Sequence, residues 1–235
     1  MGINYSPKIV TDGLVLCLDA GNLLSYPGTG NTWYDLSGNS NNAILTDNIS
    51  YNNSGILTLD GINDYVFIDR VPYTSSNLSS FSLCIWVNPL NDTDGNIVSM
   101  SNTNPQGAWN MPPISADNQK FSGRIWVGSR LYSNTYQLNS WYYIILVWKY
   151  SENSAERGQF FYVNGELIGS EIGGSYSASN APGGNYLFLG QQNPGADGQG
   201  MFSGQISCFQ VYGNKALTQQ EIQQNYLATK GRFGL

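Results

Sequence analysis

Few residues in this chain could do acid–base or nucleophilic chemistry. There is no histidine among the 235 residues, which removes Ser-His-Asp and Cys-His catalysis and every His-ligated metal site. Only five glutamates occur: Glu152, Glu156, Glu166, Glu171 and Glu221. Retaining glycoside hydrolysis needs two carboxyls about 5–5.5 Å apart, a spacing that alternate positions of one strand provide. No Glu/Asp pair stands at i, i+2 or i+4 inside a segment expected to be a central strand. Asp60 and Asp64 straddle a turn, so a turn-forming role is the simpler reading.

Metal chemistry fares no better. Cys17, Cys84 and Cys208 are too few and too far apart for a zinc site. Each lies in an apolar run (Leu-Val-Leu-Cys-Leu, Phe-Ser-Leu-Cys-Ile-Trp, Ile-Ser-Cys-Phe). Buried free thiols in strands are the expectation, with one disulfide and a leftover thiol as the alternative. Asn91-Asp92-Thr93-Asp94-Gly95-Asn96 is like part of an EF-hand loop. Leu90 takes the first ligand position, however, and no glutamate follows at the twelfth. A solvated Asx turn fits better, and no metal ligand is assigned.

Sugar recognition needs less: an aromatic face to stack on, and amides or carboxylates to meet hydroxyls. Three segments fit by composition. The first, 101–116, holds Trp109 and Asn110 among Pro105, Gly107, Pro112 and Pro113. The second, 173–185, holds Tyr176, Asn180 and Asn185, and the third, 191–199, holds Asn193 and Asp197. Trp109, Asn110, Tyr176, Asn185 and Asp197 are therefore the glycan-binding candidates. The competing reading makes Trp109 a plug at one end of the fold or at a subunit contact.

Composition narrows the partners. Charged residues are 11% of the chain, net charge is −6 and the isoelectric point is about 4.4. An acidic chain without a basic cluster is unsuited to nucleic acid or anionic membranes, because phosphate neutralisation needs Lys and Arg. No run approaches the length of a membrane span. The first residues carry no apolar signal core, so folding in a cytoplasm is expected. The Asn-x-Ser/Thr triplets at Asn48, Asn52, Asn77 and Asn91 then read as chance.

The elements that must position these residues are strands. Asn164-Gly165 between Phe160–Val163 and Leu167-Ile168 predicts a hairpin on a type I′ turn. Further strands are predicted at 14–19, 56–60, 64–69, 81–88, 96–101, 123–128, 141–150, 186–190 and 204–212, about a dozen in all with the hairpin. In 81–88, Phe81, Leu83, Ile85 and Val87 face one way and Ser82, Cys84 and Trp86 the other. The segment 141–150 is apolar on both faces, as a strand covered on both sides would be. Segment 21–42 is a long polar connection anchored by Trp33. Thr218-Gln219-Gln220-Glu221 is a capping box opening one helix of about 218–230, with Ile222, Tyr226 and Leu227 as its apolar stripe and Gly231 as its cap. These features predict an all-β, two-sheet antiparallel sandwich with one short C-terminal helix, in a single domain over 1–235.

Five stretches in order carry a resemblance: Gly13-Leu-Val-Leu-Cys-Leu-Asp; Trp33-Tyr-Asp-Leu-Ser-Gly-Asn; Leu59-Asp-Gly-Ile-Asn-Asp-Tyr-Val; Phe161-Tyr-Val-Asn-Gly; and Phe202-Ser-Gly-Gln-Ile with Ala216-Leu-Thr-Gln-Gln-Glu-Ile. Together they resemble a laminin-G-like, concanavalin-A-like jelly-roll domain. The resemblance implies two sheets, one concave, with ligands met by the concave face or rim loops. It also allows one structural Ca²⁺ at the rim, near Asp64 or Asp197, which no spacing supports; no cofactor is expected. Glucanases of this fold carry Glu-x-Asp-x-x-Glu or close to it, which this chain lacks. The closing Asn225-Tyr-Leu-Ala-Thr-Lys-Gly-Arg-Phe-Gly-Leu is similar to virion-associated proteins of tailed bacteriophages. The function expected is a non-catalytic virion surface or structural module, a fibre, adhesin or capsid decoration, that binds neutral glycans on a cell surface. The rivals are a structural subunit contacting other virion proteins and a glycosidase of this fold. Self-association is left open.

Overall fold

The computed structural model describes residues 7–46, 49–70, 72, 79–92, 94–101, 110–125, 128–173, 186–191 and 200–235. Two sheets face each other. Strands are numbered along the chain. One sheet has eight strands. Its spatial order is β14 (Glu166–Ile172), β13 (Gly158–Val163), β12 (Tyr142–Lys149), β7 (Phe81–Pro89), β17 (Ser203–Gly213), β5 (Ile56–Asp60) and β4 (Ser50–Asn52), and β1 (Leu14–Asp19) also pairs with β17. The other has nine: β11 (Leu131–Thr135), β10 (Lys120–Gly123), β9 (Asn110–Asp117), β8 (Gly95–Ser101), β15 (Tyr186–Leu189), β6 (Val66–Ile68), β3 (Ala43–Leu45) and β2 (Thr32–Trp33), with β16 (Gly200–Met201) along β8. Every pairing is antiparallel except β16 with β8. The chain is an all-β sandwich closed by one helix, α1 (Gln219–Thr229).

Alternation along β7 explains the layering. Phe81, Leu83, Ile85 and Val87 enter the core between the sheets, where they meet Leu146, Phe161, Val66, Leu187, Ile114 and Phe121. Cys84 and Trp86 point the other way, into a second cluster with Tyr143, Ile145, Val147, Tyr162, Cys208 and Tyr212. β12 therefore has an apolar layer on each face, as its composition predicts. Trp33 is fully buried between the sheets.

Helix α1 and the residues after it cover that second cluster. Thr218 caps the helix and Glu221 reaches back to the Thr218 N–H at 2.9 Å, completing the capping box. Ile222 is buried, and Tyr226 and Phe233 stack on Trp86 with ring centroids 5.9 and 4.2 Å away. The Trp86 indole N–H donates to Thr229 Oγ1 at 2.9 Å. Asn225 is buried and satisfied: its Oδ1 accepts from Val10 N and its Nδ2 donates to the Tyr212 hydroxyl. Arg232 grips Asp19 through two nitrogens at 2.6 and 2.8 Å. Gly165, at φ +84° after Asn164 at φ +53°, forms the expected hairpin turn. Its carbonyl accepts from Gln219 and Gln223 of the helix.

The structure corrects several expectations. Leu227 is exposed and lies off the buried stripe. Gly231 does not cap the helix, because a 3-10 turn (Lys230–Phe233) follows and the left-handed residue is Gly234. Of the strand expected at 123–128, Gly123 ends β10, which starts earlier, Arg124 N–H donates to the Pro113 carbonyl, and 126–127 lie outside the described residues. Residues 110–116, part of the segment 101–116 expected to be a glycan-binding loop, lie in β9 instead. Irregularities in the β8–β9 register absorb this stretch. Seventeen strands are described, so "about a dozen" was low; β2, β3, β4, β11 and β16 are short or polar and gave no periodic signal.

Candidate functional site

The inner face of the nine-stranded sheet is apolar, so anything it recognises must meet its outer face. Register decides which side chains gather there. Ile44 lies opposite Phe67, Phe67 opposite Phe188 and Phe188 opposite Ser99, running across β3, β6, β15 and β8. Asn96 lies opposite Ser115, Ser115 opposite Ser122 and Ser122 opposite Tyr132, running on across β9, β10 and β11.

One half of this face is aromatic. Phe67 lies 5.3 Å from Phe188 and 5.8 Å from Tyr186, centroid to centroid, and Tyr65 lies 6.1 Å from Phe188. Phe67 and Tyr186 are half-buried and Ile44 is exposed. The other half is hydroxyl and guanidinium. Ser99, Ser101, Ser115, Ser122 and Asn96 are buried and form its floor. Ser115 Oγ donates to Asn96 Oδ1 at 3.2 Å, and Arg130 Nη1 donates to Ser122 Oγ at 3.0 Å. Tyr132 is exposed, and its hydroxyl donates to Asp117 Oδ2 at 3.1 Å. Partial burial, then that bond, push the Tyr132 phenol up, while the charges of Arg130 and Arg124 pull it down.

Of the described residues next to the segments named from composition, Ser101 pairs with both Asn110 and Tyr186. Gln191 accepts at its carbonyl from Ser99 Oγ at 3.3 Å, and Gly200 lies opposite Gly95. Trp109, Tyr176, Asn185 and Asp197 lie outside the described residues; of Asn110 the backbone is described. The serines and Phe67, Phe188, Arg130 and Tyr132 were missed. Their only signal was small polar residues at alternate strand positions, as in Ile97-Val-Ser-Met-Ser, which cannot say which strands share a sheet.

Many of the described carboxylates are engaged structurally. Glu171 accepts from Ser129 N and Gln159 Nε2 at 2.6 and 2.8 Å, Glu166 from Gln223, and Glu156 from Asn153. Asp60 Oδ1 accepts from three N–H groups of its own turn, those of Ile62, Asn63 and Asp64, and these hold its carboxyl below the usual range. Asp64 is buried, which pushes its carboxyl up, and its Oδ2 accepts from Asp60 N. Asp94 and Asp92, in the stretch weighed against an EF-hand, accept from Asn118 N and Gln119 Nε2. Among the described residues no group of three or more Cys, Asp or Glu is placed to hold a metal ion. The three cysteines are buried and unpaired by disulfides. Within the described residues no helix is long and apolar enough to cross a membrane.

A sequence model described as the concanavalin A-like lectin/glucanases superfamily, of laminin-G type, matches residues 60–223. The chain belongs to that superfamily. No curated protein matches it. Solved structures with the same fold include Trypanosoma rangeli sialidase in complex with 2,3-difluorosialic acid, at TM-score 0.70 and 16% identity, over 98% of this chain and 36% of the sialidase. The same sialidase with sialic acid gives TM-score 0.69 at 15% identity, over 94% and 33%. The botulinum neurotoxin serotype D binding domain gives 0.62 at 15% identity, over 94% and 53%. This concanavalin A-like domain thus spans about a third of the sialidase and half of the toxin domain. At such identities the likeness speaks for the fold alone.

Proposed function

We propose that this concanavalin A-like domain is a non-catalytic carbohydrate-binding module whose site is the outer face of the nine-stranded sheet. The observation that carries the reading is the half-buried pair Phe67 and Tyr186, backed by the buried Phe188 and abutting a buried hydroxyl floor from Ser99 and Ser101. Sugar C–H faces stack on the aromatic half. Hydroxyls meet Tyr132, Arg130 and the amides of the segments named from composition, among which Trp109, Asn110, Tyr176, Asn185 and Asp197 remain the proposed contacts. The glycan is neutral, since Asp117 stands beside the Arg130–Tyr132 pair. The structural engagement of Glu156, Glu166, Glu171, Glu221 and Asp60 supports binding without turnover.

Single-site affinity for such a glycan is of millimolar order, so useful attachment needs repeated display. A virion surface is the setting we propose for that display; it rests on the C-terminal resemblance alone. Exposed Ile44 beside Phe67 favours a second reading, in which the same face holds another protein chain. The test is chemical-shift mapping of the full chain with glycans found on an array. Saturable shifts at Phe67, Tyr186 and Tyr132 support the sheet face. Shifts elsewhere, or none with any glycan, overturn it.

A further inference from the structure

The outer face of the other, eight-stranded sheet carries the helix and, beyond it, a polar row. Helix α1 and the 3-10 turn after it cover the second apolar cluster as far as Trp86, on which Phe233 stacks at 4.2 Å. Two residues further along β7 the face turns polar at Asn88. Register carries this row across the sheet. Asn88 lies opposite Gln205, Gln205 opposite Thr58 and Thr58 opposite Ser50, over β7, β17, β5 and β4. Tyr142 lies opposite Val87, so Trp141, one residue earlier, falls across from Asn88 and begins the row on its β12 side. Trp141 packs on the second cluster and against Phe233, with ring centroids 4.5 Å apart. Trp141, Gln205 and Thr58 are half-buried, and Ser50 is exposed. The row is thus an aromatic ring followed by two amides and two hydroxyls. Crossing from β12 to β4 takes four strand-to-strand steps of roughly 4.8 Å, on the order of 19 Å in all.

Its hydrogen bonding is incomplete. Asn88 Nδ2 donates to Gln205 Oε1 at 3.0 Å. Gln205 Nε2 reaches Thr58 Oγ1 only at 3.5 Å, the outer limit of such a bond. Asn88 is buried to 7% exposure, yet its Oδ1 has no hydrogen-bond partner. A buried acceptor without a donor is destabilising, and whatever supplies the donor recovers that cost. Gln205, held weakly on its far side, can turn its amide aside and admit one.

The missing group defines the ligand. It is a donor, so a carboxylate, sulfate or phosphate does not serve. Amides and hydroxyls both give and accept hydrogen bonds, as sugar hydroxyls do, and Trp141 offers an aromatic face for C–H groups. The flanking charges are committed: Arg232 to Asp19 and Ser207, and Asp60 Oδ1 to the N–H groups of its own turn. We infer that this row is a second binding site, taking a linear neutral oligosaccharide laid across the strands. The domain then carries one site on each sheet. None of the row's residues belongs to the nine-stranded sheet, so the two sites fail or stand separately.

The experiment titrates the cello-, malto- and manno-oligosaccharide series, from monosaccharide to tetramer, into the full chain labelled at side-chain nitrogens and aromatic rings. Saturable shifts at the Trp141 indole and the Gln205 and Asn88 amides are expected. One series should bind at least about tenfold more tightly as tetramer than as monosaccharide, because only the longer chain spans the row. Gln205→Ala should weaken tetramer binding about fivefold. Trp141→Leu, which keeps an apolar side chain against Phe233, should weaken it about tenfold. Melting is read on the same samples, and if Trp141→Leu does not fold, Gln205→Ala decides alone. Phe67→Ser should leave this binding as in wild type. No saturable shift at Trp141 and Gln205 with any series overturns the row. So does a monosaccharide that binds as tightly as the tetramer, or a folded Gln205→Ala that binds like wild type. Shifts at Phe67 and Tyr132 alone would sink the row and keep the nine-stranded face. Shifts at Trp141 and Gln205 alone would do the reverse.

Discussion

Raising the pH from about 7 to about 10 should destabilise this protein by an amount the buried thiols set. Burial is the main cause that pushes Cys17 and Cys84 up to about 12; Asp19 and Asp35 add to it at Cys17. In the unfolded chain the same thiols ionise near 8.5–9. The folded value lies above the unfolded one for an acid that becomes an anion. The stability is therefore fully present below the unfolded value and is lost as pH rises toward the folded one. At about pH 10 each thiol contributes roughly 1.4–2 kcal/mol of loss, so the two together give about 3–4 kcal/mol. This depends little on the folded value, because both thiols are still protonated in the native state. Cys208, Tyr143 and Tyr212 are also raised by burial and act in the same direction. Urea unfolding under a phosphine reductant, at several pH values, reads the fall directly. Cys84→Ala lowers stability by itself, but its fall with pH should be smaller by roughly 1.4–2 kcal/mol. In the native state all three thiols should resist labelling, and unfolding should release three equivalents. A midpoint that holds up to about pH 10, or an equal fall in Cys84→Ala, would refute the reasoning.

Three further outcomes are expected. Gly165→Val should cost about 1–3 kcal/mol in chemical denaturation, since Val resists positive φ and a Cβ there sits 3.3 Å from the Tyr226 ring; an unchanged midpoint would remove the turn's role. Glu221→Ala should cost about 1 kcal/mol, because it frees the Thr218 N–H and breaks the 2.7 Å pair with Lys215; equal melting of the two proteins would contradict this. Reducing-end release from β-glucans or algal polysaccharides should not exceed buffer, and release abolished by one Glu or Asp substitution would establish a glycosidase instead.

Much of the sandwich was legible because its central strands alternate strictly. Phe81–Val87 against Ser82–Trp86 predicted two layers, and the two clusters on either side of β7 are those layers. The capping box was legible for a local reason: Thr218 and Glu221 need only each other. β9 was not, since Pro112 and Pro113 lack N–H groups and read as loop; irregular register with β8 accommodates them. β11, Leu-Tyr-Ser-Asn-Thr, has a single strong apolar residue facing the core. The candidate face escaped for a topological reason. Ser99, Ser115 and Ser122 come from three consecutive strands, but Phe188 comes from a strand much later in the chain, and only the order β10–β9–β8–β15 makes it their neighbour.

The central claim, recognition of a neutral glycan by the outer face of the nine-stranded sheet, meets its most direct test in one comparison. The strongest glycan from an array is titrated into wild type and Phe67→Ser, with melting measured on the same samples. Phe67 is half-buried beside Tyr186 and outside both apolar clusters, so folding should survive. Loss of one stacking partner should weaken binding about tenfold while added salt changes little, as expected where no ion pair is made. Equal affinity of the two folded proteins, or binding that collapses with salt, would contradict the account.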